Sequence, residues 1–416
     1  MQLTDLQRSW LNGDAGEALR WAMGFNASLG EFYDAAELLP IDSAHFAPDV
    51  RMGGETSINL LRRFAAEGTK IRTSGYLDPC HIDFEKEAEI IARRGVSQSF
   101  VDGERQIIKL CRQLGFFPTQ SCIPYQSVAP PCFGAHLAWG DTGAAIAANS
   151  IFGARTNFEG GPSALASALT GCTTAYGLHL PENRRGNLIV EIQCDPREIA
   201  DWGAIAAWSG QIATGYETIP VFCGDFATPS FNMLKQLGVA LASYGGHPMF
   251  HLIGATPEAA SLAMACQGDV PTDRHVLTGC DLDKLFAKHS LSNADVDLVV
   301  FAAPQLSLEE IAEIAERLGG RNVHENTRLI ISVDMHVKAQ IDNAGLTDKI
   351  LARGAEFSTG TCFYPEAPLM RDGTGWRSVV TNSAKLVNTL ASAGYETALC
   401  RMDVCLNSAV SGRVQT

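Results

Sequence analysis

The 416-residue chain carries 32 Lys and Arg against 46 Asp and Glu, a formal net charge of −14, and 46% of its residues are apolar. An acidic balance without a basic stripe excludes a nucleic-acid binder, which ranges cations against phosphates, and a charged fraction of only 19% excludes a largely disordered chain. No apolar run long enough to span a membrane is visible, and Met1 to Asp5 lack the basic and apolar regions of a secretory leader, so the twelve cysteines are expected to be reduced in a cytoplasmic protein.

Residues 1–115 read as mainly helical. Thr4 and Gln7 make a capping box ahead of a first helix, and Ile58 to Phe64 continue in the same style. Residues 116–190 are rich in Gly, Ala, Ser and Thr, which permits close backbone approach and loops shaped around a ligand. Here Cys122 stands between Pro118 and Pro124 in a segment unsuited to a helix. Arg155, Thr156 and Asn157 follow Gly153 as a donor-rich row suited to a carboxylate or phosphate; a helix end whose polar side chains cap backbone groups gives the same pattern.

From about residue 185, and throughout 191–416, β-branched runs alternate with helical patterns. Strands are expected at Asn187 to Gln193, Phe250 to Ile253, Val296 to Phe301 and Arg328 to Val333. The clearest βαβ unit runs from Val296 to Asp334, with a helix capped by Ser307 and Glu310 whose Ile311, Ile314, Ala315 and Leu318 share one face. Another ends in Ala355 to Ser358, and a third is expected to leave Phe250 through Gly254 into a helix opened by Thr256-Pro257-Glu258. The fold class is α/β, and in such sheets ligands gather at the carboxyl ends of strands. Three loops qualify, Gly254 to Thr256, Ala302 to Gln305 and Thr359 to Cys362, and only the last holds a soft metal ligand. Gly-rich nucleotide motifs, H-E-x-x-H and G-x-S-x-G are absent from the sequence.

An ordered series of segments resembles the large, catalytic subunit of aconitase X, a branch of the aconitase superfamily. It comprises Leu3-Thr4 with Gly13-Asp14-Ala15-Gly16, Ser43-Ala44-His45, Pro118-Thr119-Gln120-Ser121-Cys122 with Pro124-Tyr125, Ala138-Trp139, and Asn149 to Asn157. Tyr176 to Leu180 with Glu182-Asn183-Arg184, Gly254 to Ala259, Gly360-Thr361-Cys362 and Thr381 to Lys385 complete it. The resemblance implies several βαβ layers around a central cleft and a dehydratase that removes water from a small anionic hydroxy acid, cis-3-hydroxy-L-proline or mevalonate 5-phosphate in known members. An iron–sulfur cluster there acts as Lewis acid, polarising the C–OH bond while a base takes the neighbouring proton. It also implies a small swivelling β-domain, absent from this chain and hence expected as a separate subunit.

Carried over residue by residue, Cys122 and Cys362 are the expected metal ligands. Lys385, Ser383 and His45 are the expected catalytic groups, and Ser43, Thr119, Tyr125, Arg155, Thr156 and Asn157 the expected substrate contacts. The family's third cysteine, in a Gly-Cys-Pro-His segment, falls on Ala303. Alanine offers no lone pair, and Gln305, the nearest polar side chain, is a poor iron ligand. Phe158-Glu159 replaces an Arg-Tyr pair, and Ser332-Val333-Asp334 stands where a Thr-Ser-Arg type segment is common. Three readings follow: a hydro-lyase with an unusual or smaller metal centre, a dehydratase or isomerase that works without metal through Lys385, His45 or Ser383, and a degenerate binding subunit.

Overall fold

The first five strands are β1 (Leu38–Pro40), β2 (Ser43–Phe46), β3 (Ser74–Leu77), β4 (Leu137–Trp139) and β5 (Cys172–Thr174). In the computed structural model, which describes residues 1–48, 50–94 and 96–414 without the side chains of 50–53, 93, 94, 364–366 and 369, β2 lies between β3 and β4 in a parallel sheet, and β1 pairs antiparallel with β5. The Thr4–Gln7 capping box opens the helix Asp5–Asn12 as read, and Ile58 to Phe64 lie in the helix Val50–Ala66. The patterning did not show the strands among these helices. All four residues of β2 are buried, so a central parallel strand carries no polar alternation to betray it.

Four further strands, β6 (Leu188–Gln193), β7 (Pro220–Gly224), β8 (His251–Leu252) and β9 (Arg274–Thr278), form a parallel sheet in the order β8-β7-β6-β9. The helices Ile199–Ile212 and Phe231–Gly245 bury Trp202, Ile205, Leu237 and Leu241 against Val190 and Phe222 of that sheet. The helix expected after Gly254 does not form. The Thr256 hydroxyl accepts from Leu252 N, the Ala259 carbonyl accepts from Gly254 N, and Glu258 is drawn to the guanidinium of Arg184, so the segment closes into turns. Only Leu262–Ala265 makes a short helical turn.

The last sheet holds β10 (Leu298–Phe301), β11 (Arg328–Val333), β12 (Glu356–Thr359), β13 (Ser378–Thr381) and β14 (Glu396–Leu399), all parallel, in the order β12-β11-β10-β13-β14. Val299, Phe301, Leu329 and Ile331 pack on one side with the Ser307-capped helix Leu308–Leu318, whose capping box with Glu310 is present. Leu298, Val300, Ile330 and Val379 pack on the other, with Phe363, Leu386 and Leu390 from the helices Phe363–Thr374 and Ala384–Ser392. The chain builds outward from β10 through β11 to β12, then returns to the opposite side of β10 for β13. The gap between the carboxyl ends of β10 and β13 is therefore the topological switch point where such folds bind ligands. No helix among the described residues is long and apolar enough to cross a membrane.

Histidines tie these layers together in neutral form. His45 donates to Ser121 O at 2.9 Å, His247 to Thr218 O at 3.1 Å and His251 to Arg184 O at 2.9 Å, and all three are buried. Burial pushes each imidazole below its usual value. A lowered folded value means that stability is fully present above the unfolded pKa near 6.5 and is lost as pH falls, by up to ~1.4 kcal/mol per pH unit for each group. Thermal melts should therefore drop steeply from about pH 6.5 towards 5, and His251→Gln should flatten that slope; a flat profile in the parent chain would contradict the neutral assignment.

Candidate active site

The carboxyl ends of β2, β3 and β4 converge because the sheet is parallel and in register. His45 on β2 pairs with Tyr76 on β3 and with Trp139 on β4, so the residues two further along each neighbour, Asp78 and Asp141, emerge on either side of it. Gly140 makes this possible: a Cβ there would lie 2.9 Å from both the His45 and Glu159 carbonyls. Asp141 then caps the helix Thr142–Ser150, accepting from Ala144 N at 2.8 Å, where the helix dipole favours its negative charge.

His45 Nε2, donated to Ser121 O, also lies 3.5 Å from Asp78 Oδ1. Ser121 in turn donates from Oγ to Asp334 Oδ2 at 2.6 Å, and Asp334 caps the helix Met335–Asn343 through Val337 N. The loop that carries Cys122 is thus pinned from both sides by buried groups. Burial, and then the charge of Asp141, hold the Asp78 carboxyl well above the ordinary carboxylate range, with Lys385 acting in the opposite sense. Burial raises the Cys122 thiol as well, followed by its neighbours Cys362, Asp141 and Asp78. Tyr125 is raised by burial and then by Cys122, Asp141 and Glu310, and its hydroxyl is buried without a hydrogen-bond partner among the described residues.

The register of β2, β3 and β4 and the ties through Ser121 and Gln305 bring His45, Asp78, Asp141 and Cys122 to one place, and Cys362, Tyr125 and Lys385 lie within electrostatic reach of them. This cluster draws its members from the β2–β4 sheet and from the switch point of the β10–β14 sheet. Lys385, 9% exposed, stands in the first turn of the helix Ala384–Ser392. Ser383 caps that helix through Leu386 N and donates its hydroxyl to Ala303 O at 2.7 Å, joining the ends of β13 and β10.

Other residues singled out from the sequence make different contacts. Ser43 Oγ accepts from Trp139 Nε1, and Thr119 Oγ1 both accepts from Leu77 N and donates to Leu77 O. Thr156 accepts from Trp139 N and donates to Asn157 O. Arg155 donates to His179 O, and Asn157 bridges Tyr176 O and the Tyr216 hydroxyl. Asn157 faces a cavity of about 660 Å³ shared with Tyr33, Tyr176, Tyr216 and Arg185. Asp78 and Asp141 were not singled out from sequence. Their only local signals are an acid before Pro79 at a strand end and an acid after Gly140 opening an Ala-rich helix.

The family's set of three thiolates is incomplete at this site, and a further buried thiol, Cys80, is engaged with the Gly360 and Ile82 carbonyls. Cys122 and the residue before Cys362 are both tied to the Gln305 side chain, but the third position is Ala303, at φ 54° before a cis peptide to Pro304. The Gln305 amide is fully committed, with its Oε1 accepting from Cys122 N and its Nε2 within reach of the Gln120, Thr361 and Val333 carbonyls. Among the described residues no group of three or more His, Cys, Asp or Glu side chains is gathered as a metal requires.

Three family models match the chain in succession: Aconitase X first domain over residues 1–182, second domain over 186–287 and third domain over 296–411. The sequence is 32% identical to the phosphomevalonate dehydratase large subunit of Thermococcus kodakarensis, covering 96% of this chain and 97% of that one. It is 31% identical to the Methanocaldococcus jannaschii protein of the same name, covering 97% of each. It is 28% identical to the cis-3-hydroxy-L-proline dehydratase of Pseudomonas aeruginosa, covering 99% of this chain and 70% of that protein. The crystal structure of Thermococcus kodakaraensis aconitase X in its holo-form superposes with a TM-score of 0.85 at 30% identity, covering 98% of this chain and all of that one.

Proposed function

The chain belongs to the aconitase X family and is a dehydratase, a carbon–oxygen hydro-lyase; from that premise we propose that it dehydrates a small zwitterionic hydroxy acid of the cis-3-hydroxy-L-proline type. The observation that carries this reading is the charge of the cluster. Of its two carboxyl groups, Asp78 is held protonated above the usual range and Asp141 lies within its electrostatic reach, and Lys385 is the cation that acts on Asp78. A phosphorylated hydroxy acid would bring two anionic groups to a site that offers one described cation. An amino acid brings one carboxylate for Lys385 and one ammonium for the acidic side.

Water is lost when the proton on the carbon beside the carboxylate leaves and the hydroxyl departs from the next carbon. Hydroxide is a poor leaving group and needs a proton in the transition state. Asp78, whose carboxyl is held protonated to higher pH than usual, supplies that proton to the departing oxygen, and Asp141 takes the carbon-bound proton. Two carboxyls whose surroundings separate their roles form a recurring acid–base arrangement. Lys385 neutralises the substrate carboxylate, whose charge grows as the proton leaves. His45 holds the Cys122 loop through Ser121 O and lies 3.5 Å from Asp78 Oδ1, and Ser383 fixes the turn that presents Lys385. A small subunit, which the names of the large-subunit relatives imply, closes the cleft and excludes water.

The test is a paired assay of the chain with a candidate small subunit. Turnover of cis-3-hydroxy-L-proline without turnover of mevalonate 5-phosphate is expected. The reverse preference would overturn the substrate assignment in favour of the activity named for the relatives at 31–32% identity.

A further inference from the structure

Gln305 is 0% exposed, yet it is not packed as an inert side chain. Its Oε1 accepts from Cys122 N at 3.0 Å and lies 3.6 Å from Cys122 Sγ, which donates to it. Its Nε2 is 3.1 Å from Gln120 O, 3.2 Å from Thr361 O and 3.3 Å from Val333 O, so three carbonyls share two N–H bonds. Its own N–H donates to Cys122 Sγ at 3.3 Å, and its carbonyl accepts from the buried Lys235 Nζ at 3.5 Å. The partners come from the Cys122 loop, the end of β11 and the residue before Cys362. These are the segments that a cluster bound through Cys122 and Cys362 would join.

We infer that Gln305 is an organic substitute for the third cluster ligand: a buried amide that ties the Cys122 and Cys362 loops together by hydrogen bonds, so that the site keeps its shape without a three-thiolate iron–sulfur cluster. A lone buried amide of this kind would cost stability unless each polar atom found a partner, and here all do. Gly360 is part of the fit: at φ 69° it leaves room for the Gln120 side chain, whose Oε1 would lie 2.7 Å from a Cβ at that position. The inference rests on the reading that Cys122 and Cys362 flank the reaction site. Its tests need no turnover, so a wrong substrate assignment would leave them unchanged.

The chain is purified without oxygen, incubated with ferrous iron and sulfide, desalted and analysed for iron, labile sulfide and visible absorption. Iron well below one per chain, with no cluster absorption, is expected. Roughly three or four irons with matching sulfide, lost in both Cys122→Ala and Cys362→Ala, would overturn the inference. A second measurement follows alkylation of Cys122 in the folded chain by peptide mapping. Gln305→Ala should speed it about tenfold or more, because the loop loses its ties and opens locally, whereas an unchanged rate in a variant that melts cooperatively would show that Gln305 is not the joint.

Discussion

Asp78→Asn is expected to lower kcat on the hydroxy-acid substrate by about 10²- to 10⁴-fold, the range for loss of a positioned general acid, with little change in KM. Asn keeps the shape of the side chain, so a packing defect is not the expected cause. The pH profile separates the two explanations. Because burial and Asp141 raise the Asp78 carboxyl well above its ordinary range, the active, protonated form persists on the acid side and is lost as pH rises through that raised value. The parent enzyme should therefore show an alkaline fall that Asp78→Asn lacks. Stability carries the same sign. A raised folded value means that the stabilisation from Asp78 is fully present below the unfolded pKa near 3.9 and is lost as pH climbs through the folded one. The neutral Asn variant should thus melt no lower than the parent above neutrality. Lys385→Met is expected to behave differently, raising KM by roughly 10- to 100-fold as a charged hydrogen bond to the substrate carboxylate is lost, and lowering kcat as well because that charge grows in the transition state. Parent-like kcat in Asp78→Asn would remove it from the chemistry.

The contrast between Asp78 and Lys385 also shows what could be read from the sequence. Lys385, His45, Tyr125, Cys122 and Cys362 were reachable because each sits inside an ordered motif of the resembling family. Asp78 and Asp141 were not, because an acid at the end of a short strand looks like any solvated turn. Their meaning arises from the register that sets Tyr76 and Trp139 beside His45, and pairings between residues so far apart in the chain leave no local mark. β2 was hidden for another reason, its four buried residues leaving no polar alternation. By contrast, the unit from β10 to β11 was legible because its helix is long, amphipathic and closed by the Ser307–Glu310 capping box. The expected helix at Thr256 failed for a long-range cause as well. Arg184, buried at 1% exposure, captures Glu258, and a capping triplet cannot announce that its acid is engaged elsewhere.

Gln305 is the instructive intermediate case. The sequence identified the missing thiol at Ala303 and the glutamine nearby, and chemistry marked that glutamine as a poor iron ligand. Only the packing reveals that the amide joins three loops. A substitution that removes a metal ligand leaves those loops without a tie, and a buried side chain with two donors and an acceptor can supply one if the carbonyls already point inward.

The largest stability effect should come from Lys235, which supports this joint from behind. Lys235 and Glu310 are 1% and 4% exposed and form a buried ion pair, and Glu310 also accepts from Ser307 N at 2.9 Å within the capping box. Removing one member leaves the other charged and uncompensated, at a cost of about 3–5 kcal/mol, whereas replacing both with neutral groups is close to neutral. Lys235→Met is therefore expected to lower the denaturation midpoint strongly, and Lys235→Met with Glu310→Gln to recover most of the loss, since Gln keeps the Ser307 cap without the charge. The site should register the single change too. Lys235 Nζ meets Gln305 O at 3.5 Å, so Cys122 should alkylate faster in Lys235→Met than in the parent. Full stability in the single variant would mean that the pair is not held as two buried charges, and would remove Lys235 from the support of Gln305.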